Sequence, residues 1–115
     1  MLSAIVIDDE ADLRLLARFM LEDAGAFEVI GEAGNATEAL EMIGMLVPDI
    51  AIIDLHLPDM SGIELIQQLR DRAMTLRLVA YSSDDLGLAD ALLAGADRAV
   101  LKTGRSEELI AALVA

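Results

Sequence analysis

The sequence predicts an α/β fold in which a parallel sheet is covered by helices on both faces. Strand-like and helix-like patterns alternate strictly, five times each, which is typical of a sheet built from βα units. The run Ile50–Ile53 is wholly apolar, as expected for a strand buried on both faces. The chain has 115 residues, 56% of them hydrophobic, enough for one core and too few for two domains. We therefore expect one (βα)5 domain, residues 1–115.

Five segments are predicted to be strands because each is a mainly apolar run of strand length. They are Leu2–Ile7, Phe27–Gly31, Asp49–Ile53, Arg77–Ser82 and Arg98–Leu101. Alternation within the fourth strand turns Tyr81 away from Ser82, so we assign Tyr81 to the core.

The helices between these strands carry start and stop signals. In the first, apolar residues at positions 13, 16, 17, 20 and 21 follow helical spacing, and Gly25 ends the helix. The second begins at Asn35 and the third at Ser61, and each has a glutamate three residues later, the capping-box pattern. The fourth follows Asp84 and contains a glycine, so we expect it to be the least rigid. The fifth begins near Ser106.

The composition excludes several classes of function. The formal net charge is −13, and residues 1–60 carry 13 acidic and 2 basic side chains. Such a surface repels phosphates, so we expect no direct binding of nucleic acid. No apolar run approaches the ~20 residues of a membrane span, and the first residues do not form a signal peptide. The absence of cysteine excludes disulfides and thiolate chemistry, and we expect a cytoplasmic protein.

Polar side chains lie at the ends of four predicted strands. Asp8 and Asp9 follow the first, Asp54 follows the third, Ser82 ends the fourth and Lys102 follows the fifth. If these strands are neighbours, the groups meet at the sheet edge where open α/β folds bind ligands. Clustered carboxylates repel one another unless cations neutralise them. Oxygen ligands favour Mg²⁺, Mn²⁺ or Ca²⁺ over zinc, and few protein ligands completed by water are typical of Mg²⁺.

The same groups fit nucleophilic attack on a phosphoryl group. Asp54 would be the nucleophile and would form an aspartyl phosphate. Lys102, the only lysine in the chain, and the cation would stabilise the equatorial oxygens, and Ser82 would bond one of them. A structural alternative for Asp8–Glu10 is that these acids cap the first helix and favour its dipole.

Asp8-Asp9, DLHLPDMSG at 54–62, Ser82-Ser83 and GADRAVLK at 95–102 together resemble the receiver domain of bacterial two-component response regulators. The resemblance covers essentially the whole chain. It implies a flavodoxin-like, doubly wound, five-stranded parallel sheet of strand order 2-1-3-4-5. It also implies phosphotransfer to Asp54 from a sensor histidine kinase or a phosphotransfer protein. No enzyme activity is implied beyond self-phosphotransfer and autodephosphorylation.

The resemblance also implies a role for each site residue. The metal ligands are all oxygens for Mg²⁺, or for Mn²⁺ in its place: Asp9 and Asp54 directly, Asp8 through water, and the His56 backbone carbonyl. Ser82 takes the position of the switch hydroxyl, and Lys102 that of the lysine that pairs with the phosphate.

The segments VIGEAGNATEAL at 29–40 and VLKTGRSEELIAAL at 100–113 are most similar to receivers with a C-terminal helix-turn-helix output domain that controls transcription. We expect no such domain within residues 1–115, which leaves an excised receiver or a single-domain regulator that acts through protein contacts. A homodimer through the fourth helix, fifth strand and last helix is a further expectation.

The sequence departs from the receiver pattern at three positions. Ala99 replaces an aromatic switch residue, Thr103 replaces a proline whose peptide bond is usually cis, and Ser83 replaces a small apolar residue. The side chains of His56 and Asp84 flank the expected path of the attacking water. Our hypothesis is that they, with Ser83, modulate dephosphorylation.

Three other functions compete with this interpretation. A degenerate receiver would act as an interaction module without phosphorylation, but the full set of site residues argues against it. A haloacid-dehalogenase-type phosphatase also forms an aspartyl phosphate, but it needs an acid where this chain has His56, and its nucleophile follows the first strand. A flavin-binding flavodoxin-like protein needs a phosphate loop after the first strand, where this chain has acids.

Overall fold

The computed structural model describes residues 1–114. Strands and helices alternate in the predicted order. The strands are β1 (Leu2–Ile7), β2 (Phe27–Ala33), β3 (Ile50–Ile53), β4 (Arg77–Ser82) and β5 (Arg98–Leu101). The helices are α1 (Ala11–Ala24), α2 (Ala36–Leu46), α3 (Gly62–Asp71), α4 (Asp85–Ala94) and α5 (Ser106–Val114).

The strands form one parallel sheet in the order β2-β1-β3-β4-β5, which confirms the implied topology. Ile7 at the end of β1 pairs with Ile53 at the end of β3, and Ile53 pairs with Ala80 of β4. The residues that follow β1 and β3 are Asp8 and Asp54, so these two aspartates leave the sheet side by side. The edge between β1 and β3 is the topological switch point of the fold.

Alternate residues of the central strands fill two cores. Ile5 and Ile7 of β1 belong to a core shared with α2, α3 and α4, whereas Ala4 and Val6 belong to one shared with α1 and α5. Every residue of β3 is buried, as the apolar run Ile50–Ile53 predicted. Because the sheet is covered on both faces, its polar chemistry is confined to the strand ends.

The bounds of two strands differ slightly from the prediction. β2 continues two residues beyond Gly31, because Glu32 and Ala33 pair with the last residues of β1. Gly31 marks a shift in the β1–β2 register rather than the end of the strand. β3 begins at Ile50, one residue later than predicted.

The predicted capping residues begin their helices. The Asn35 side chain accepts a hydrogen bond from the Glu38 N–H at 2.8 Å, and Ser61 accepts one from the Glu64 N–H at 3.1 Å. The Glu38 carboxylate accepts from the N–H of Gly34, one residue before the expected partner, at 3.1 Å. The helices beside the site therefore have well-defined first turns.

Helix α4 is apolar on both its buried and its exposed side. Leu88 and Ala91 are buried, whereas Leu86 and Leu93 are 85% and 87% exposed. Its low relative rigidity stays a prediction. None of the helices within residues 1–114 is long and apolar enough to cross a membrane.

Candidate functional site

Three carboxylates meet at the carboxyl edge of the sheet, as the sequence predicted. Asp8, Asp9 and Asp54 each offer an oxygen, and these oxygens lie within 4.8 Å of one another. The Asp54 N–H donates to the Ile7 carbonyl at 2.9 Å, which joins the end of β3 to the end of β1. The backbone of the two central strands therefore fixes the separation of Asp8 and Asp54.

Lys102 provides the positive charge of this cluster. Its Nζ lies 2.7 Å from Asp8 Oδ2 and 3.6 Å from Asp54 Oδ2. The Lys102 N–H donates to the Ser82 carbonyl at 2.9 Å, so pairing between β4 and β5 continues to the lysine. The ammonium is bonded to Asp8 and only near Asp54, which leaves the charge of Asp54 less compensated.

Asp54 is buried, with a relative exposure of 8%. Burial raises the pKa of its carboxyl, and the negative charge of Asp8 raises it further. The Lys102 ammonium and the N–H groups of His56 and Leu55 oppose this rise. The environment therefore penalises an ionised Asp54 and favours the approach of a cation.

The donor set fits a hard divalent cation. All three side chains offer oxygen, which Mg²⁺ and Mn²⁺ prefer. Asp8 already accepts from the Glu10 N–H at 2.9 Å and from Lys102, whereas Asp9 is exposed and open to an ion. Direct ligation by Asp9 and Asp54, with a water-mediated role for Asp8, stays a prediction. The part of the His56 carbonyl stays a prediction.

The alternative of a helix cap explains the acidic run poorly. α1 begins after Glu10, whose side chain makes no capping hydrogen bond. The Asp8 carboxylate serves the Glu10 N–H and the Lys102 ammonium instead. The carboxylate of Asp8 is therefore directed at the site.

The loop that follows Asp54 depends on Gly62. The Gly62 N–H donates to the Leu55 carbonyl at 2.8 Å. A Cβ at Gly62 would collide with the Asp54 carbonyl oxygen and would lie 2.7 Å from the Cα of Leu55. Only glycine allows the backbone of α3 to approach the Asp54 peptide this closely.

Two residues that support the site were not identified from the sequence. Asp59 accepts from the N–H groups of Ala36 and Thr37 at 2.8 and 2.9 Å, and from the Thr37 hydroxyl at 2.7 Å. These bonds lower the pKa of Asp59 to about 2 and join the β3–α3 loop to the start of α2. In the sequence, an aspartate after a proline suggests only a turn. The hydrogen-bond partners of Asp59 lie 22 and 23 residues earlier, so no local pattern indicates them.

The second residue is Arg14 of α1. Its Nη1 donates to the Asp8 carbonyl at 2.6 Å, and its Nε donates to Glu32 at 3.3 Å. Arg18 also pairs with Glu32, at 2.7 Å. The Glu32 carboxylate thus orients Arg14 against the peptide that carries the acidic pair. An arginine inside an amphipathic helix carries no local signal of this contact.

Ser82, His56 and Asp84 connect the ends of β3 and β4 to the start of α4. Ser82 is fully buried, and its Oγ accepts from the Asp84 N–H at 3.2 Å. His56 Nε2 lies 3.1 Å from Asp84 Oδ2, so the β3–α3 loop touches the start of α4. The Gly87 N–H and His56 lower the pKa of Asp84. Ser83 is exposed.

The departures at positions 99 and 103 have simple structural outcomes. Ala99 is half-buried and packs against the core shared with α2, α3 and α4. All peptide bonds within residues 1–114 are trans, including the one before Thr103.

Comparison with known proteins gives a consistent result. A protein-family model described as the response regulator receiver domain matches residues 4–114. The nitrate/nitrite response regulator protein NarL of Escherichia coli K12 is 33% identical over 111 residues, which cover 95% of this chain and 51% of NarL. The DNA-binding transcriptional activator DevR/DosR of Mycobacterium tuberculosis is 37% identical over 119 residues, which cover 98% of this chain and 53% of that protein.

Solved structures agree in fold. A LuxR-family two-component response regulator from Aurantimonas sp. SI85-9A1 superposes with a TM-score of 0.90 at 27% identity. The match covers 96% of this chain and 81% of that one. The chain spans about half the length of the two curated relatives.

Proposed function

The chain belongs to the response regulator receiver domain family, and on that premise we propose that Asp54 accepts a phosphoryl group in a Mg²⁺-dependent reaction. Receiver domains of this family interact with histidine kinases or phosphotransfer proteins, and the proposed donor is the phosphohistidine of one of these, in the cytoplasm. The observation that carries the proposal is the meeting of Asp8, Asp9 and Asp54 with Lys102 at the switch point of the sheet.

The proposed reaction is an in-line displacement at phosphorus. One Asp54 oxygen forms the new P–O bond while the bond from phosphorus to the donor nitrogen breaks, and the electron pair of that bond returns to the imidazole. A bound Mg²⁺ would offset the charge of the transferring group. Lys102, 3.6 Å from Asp54, would pair with an equatorial oxygen once it leaves Asp8.

The proposed switch begins at Ser82 and Lys102. The Ser82 hydroxyl accepts from the Asp84 N–H, so turning it to donate to a phosphoryl oxygen weakens its tie to the start of α4. The ammonium must exchange Asp8 for the phosphoryl group. Phosphorylation would thus shift an existing two-state equilibrium, with a coupling of about 1–3 kcal/mol typical of such switches.

We propose transcription control as the output, through an output domain or partner outside residues 1–114. DevR/DosR is named as a DNA-binding transcriptional activator, and NarL as a nitrate/nitrite response regulator. The proposed contact surface consists of α4, β5 and α5, where Leu86, Leu93 and Leu101 are exposed, and a homodimer through it remains part of the proposal. The net charge of −13 supports contact with proteins rather than with nucleic acid.

Intact mass spectrometry after incubation with acetyl phosphate and Mg²⁺ tests the proposal. One phosphoryl adduct is expected in the wild type, and none in Asp54→Asn or in the absence of Mg²⁺. Continued release of inorganic phosphate far beyond one equivalent, with no adduct, would favour a phosphatase. No adduct, and no effect of beryllium fluoride on the protein, would favour the degenerate interaction module.

A further inference from the structure

Tyr81 is the one aromatic residue placed near the site. The chain has two phenylalanines, one tyrosine and no tryptophan. Phe19 is exposed on α1, and Phe27 begins β2 at the opposite edge of the sheet from the carboxylates. Tyr81 lies immediately before Ser82 in β4 and is 8% exposed.

The register of the sheet brings Tyr81 and Lys102 to the same face. Tyr81 pairs with Val100, and Ser82 pairs with Leu101, after which Lys102 follows directly. Side chains alternate along a strand, so Lys102 emerges on the face of Val100 and Tyr81. Its Nζ lies over the Tyr81 ring, 5.6 Å from the centroid, within the range of a cation–π interaction.

The ring also borders an empty space. A cavity of about 160 Å³ is lined by Tyr81, Lys102, Gly104 and three residues of α1, namely Leu13, Leu16 and Ala17. This pocket is partly open to solvent, because Leu16 and Gly104 are exposed, and its walls are mainly apolar. The ring and the lysine stem can therefore shift without displacing the packed core.

We propose that Tyr81 is a positioning residue for Lys102 and that its ring moves when the ammonium leaves Asp8 for the phosphoryl group. The ammonium has three neighbours in the structure: Asp8 at 2.7 Å, Asp54 at 3.6 Å and the ring. The ring holds the Lys102 ammonium at the carboxyl edge of the sheet while the ammonium leaves Asp8 for the phosphoryl group. The displacement reaches α1 through the cavity wall, on the face of the sheet opposite Ala99.

This inference rests on the proposed function, and three variants test it. Tyr81→Leu removes the ring, Tyr81→Phe retains it, and Phe27→Leu makes a comparable change at a buried ring far from Lys102. We expect Tyr81→Leu to slow adduct formation with acetyl phosphate and Mg²⁺ by about threefold to tenfold, the range of a partly desolvated cation–π contact. Tyr81→Phe should retain the wild-type rate. Phe27→Leu should also retain this rate, even if it lowers the melting temperature as much as Tyr81→Leu does.

The wild-type chain provides a second test that needs no variant in the core. Its only tyrosine is its only strong fluorophore, so the emission of Tyr81 reports on the ring directly. Addition of beryllium fluoride with Mg²⁺ should change this emission in the wild type and leave it unchanged in Asp54→Asn. Binding of the fluoride is followed independently by ¹⁹F NMR.

Two kinds of result would overturn the inference while the proposed function stands. One is kinetic, either a wild-type rate in Tyr81→Leu or equal slowing in Phe27→Leu. The other is constant tyrosine emission when ¹⁹F NMR shows that beryllium fluoride is bound. If the wild type forms no adduct with either reagent, the proposed function fails and the inference fails with it.

Discussion

Asp54 lies where its negative charge is only partly compensated. It is buried beside Asp8, and the nearest ammonium is 0.9 Å closer to Asp8 than to Asp54, at 2.7 Å against 3.6 Å. Burial and the neighbouring carboxylate raise its pKa, whereas the Lys102 ammonium opposes the rise. Ionisation of Asp54 in this setting therefore carries a free-energy cost, which a bound cation would reduce.

His56 and Asp84 supply a prediction about the lifetime of the phosphate. Their side chains lie 3.1 Å apart and join the β3–α3 loop, which follows Asp54, to the start of α4. We expect His56→Ala to shorten the lifetime of the phosphorylated chain by about threefold to tenfold, about 1 kcal/mol in the barrier, because water gains access. Decay of the adduct is measured by intact mass spectrometry.

Asp84 requires a conservative change in the same experiment. Its Oδ1 caps α4 by accepting from the Gly87 N–H at 3.0 Å. Asp84→Asn retains an acceptor for this cap while it removes the charge that faces His56. Unchanged decay in both His56→Ala and Asp84→Asn would eliminate the role of these side chains in dephosphorylation.

The residues that the sequence predicted differ in kind from those it missed. Asp8, Asp54 and Lys102 follow strands, and strand periodicity is readable from local sequence. Asp59 and Arg14 act on backbone groups of distant segments, which become neighbours only after the sheet forms. Tertiary packing, rather than any local pattern, gives these two residues their roles.

At the scale of elements, the β3–α3 loop is held at its α3 end and in its middle. Gly62 fixes its end at α3 by close backbone approach, and Asp59 fixes its middle to the first turn of α2. The loop follows Asp54 and carries His56, so its rigidity sets the geometry of these two residues. The collision that requires this glycine is visible only in the structure.

Gly62→Ala should therefore destabilise the protein. A Cβ at this position meets backbone atoms that cannot move aside, so we expect the free energy of unfolding to fall by about 2 kcal/mol or more. Gly44→Ala, within α2, meets no atom within 4 Å and should instead stabilise the helix by about 0.5–1 kcal/mol. Urea denaturation measures both. Equal effects of the two substitutions would contradict this account of Gly62.

Asp59 gives the β3–α3 loop a pH dependence. Its pKa of about 2 in the folded state is below the ordinary 3.8, so its ionised form binds α2 and stabilises the fold. This contribution is complete above about pH 4 and is lost as the pH falls towards 2. We expect the wild type to have a higher urea midpoint than Asp59→Asn at pH 5. This difference in midpoint should disappear as the pH falls from about 4 towards 2. A constant gap would show that the charge is irrelevant.

At the scale of the whole molecule, the fold concentrates negative charge at one sheet edge. The chain carries a net −13, and residues 1–60, which include Asp8, Asp9 and Asp54, hold −11 of it. The β1–β3 switch point collects three of these carboxylates within 4.8 Å. Screening by salt and specific binding of Mg²⁺ should therefore both stabilise the protein. A comparison of the two salts at equal ionic strength distinguishes the two effects.

Mg²⁺ should raise the melting temperature more than NaCl of equal ionic strength. A ligand present at about 100 times its Kd adds about 2.7 kcal/mol, whereas NaCl only screens. Asp9 is exposed, so Asp9→Asn should fold normally. In this variant Mg²⁺ should raise the melting temperature no more than NaCl does. Equal responses to Mg²⁺ in the two proteins would contradict the assignment of Asp9 as a ligand. Differential scanning calorimetry provides the comparison.

The alternation of strands and helices predicted a parallel sheet covered on both faces, but it did not predict the strand order. Strict βα repetition with a buried central strand leaves few topologies, and the resemblance in motifs selected 2-1-3-4-5 among them. The end of β2 was less predictable, because Glu32 and Ala33 become strand residues only through pairing with β1. Tertiary pairing overrode the local signal of Gly31 there.

The central claim is that Asp54 carries the phosphoryl group, and chemical mapping of that residue tests it most directly. Borohydride reduces an aspartyl phosphate to homoserine, and trypsin leaves residues 19–70 in one peptide because no Lys or Arg lies between Arg18 and Arg70. After treatment with acetyl phosphate and Mg²⁺, tandem mass spectrometry should place homoserine at position 54 alone. Homoserine at Asp49 or Asp59, or none in a chain that gained the phosphoryl mass, would contradict the claim.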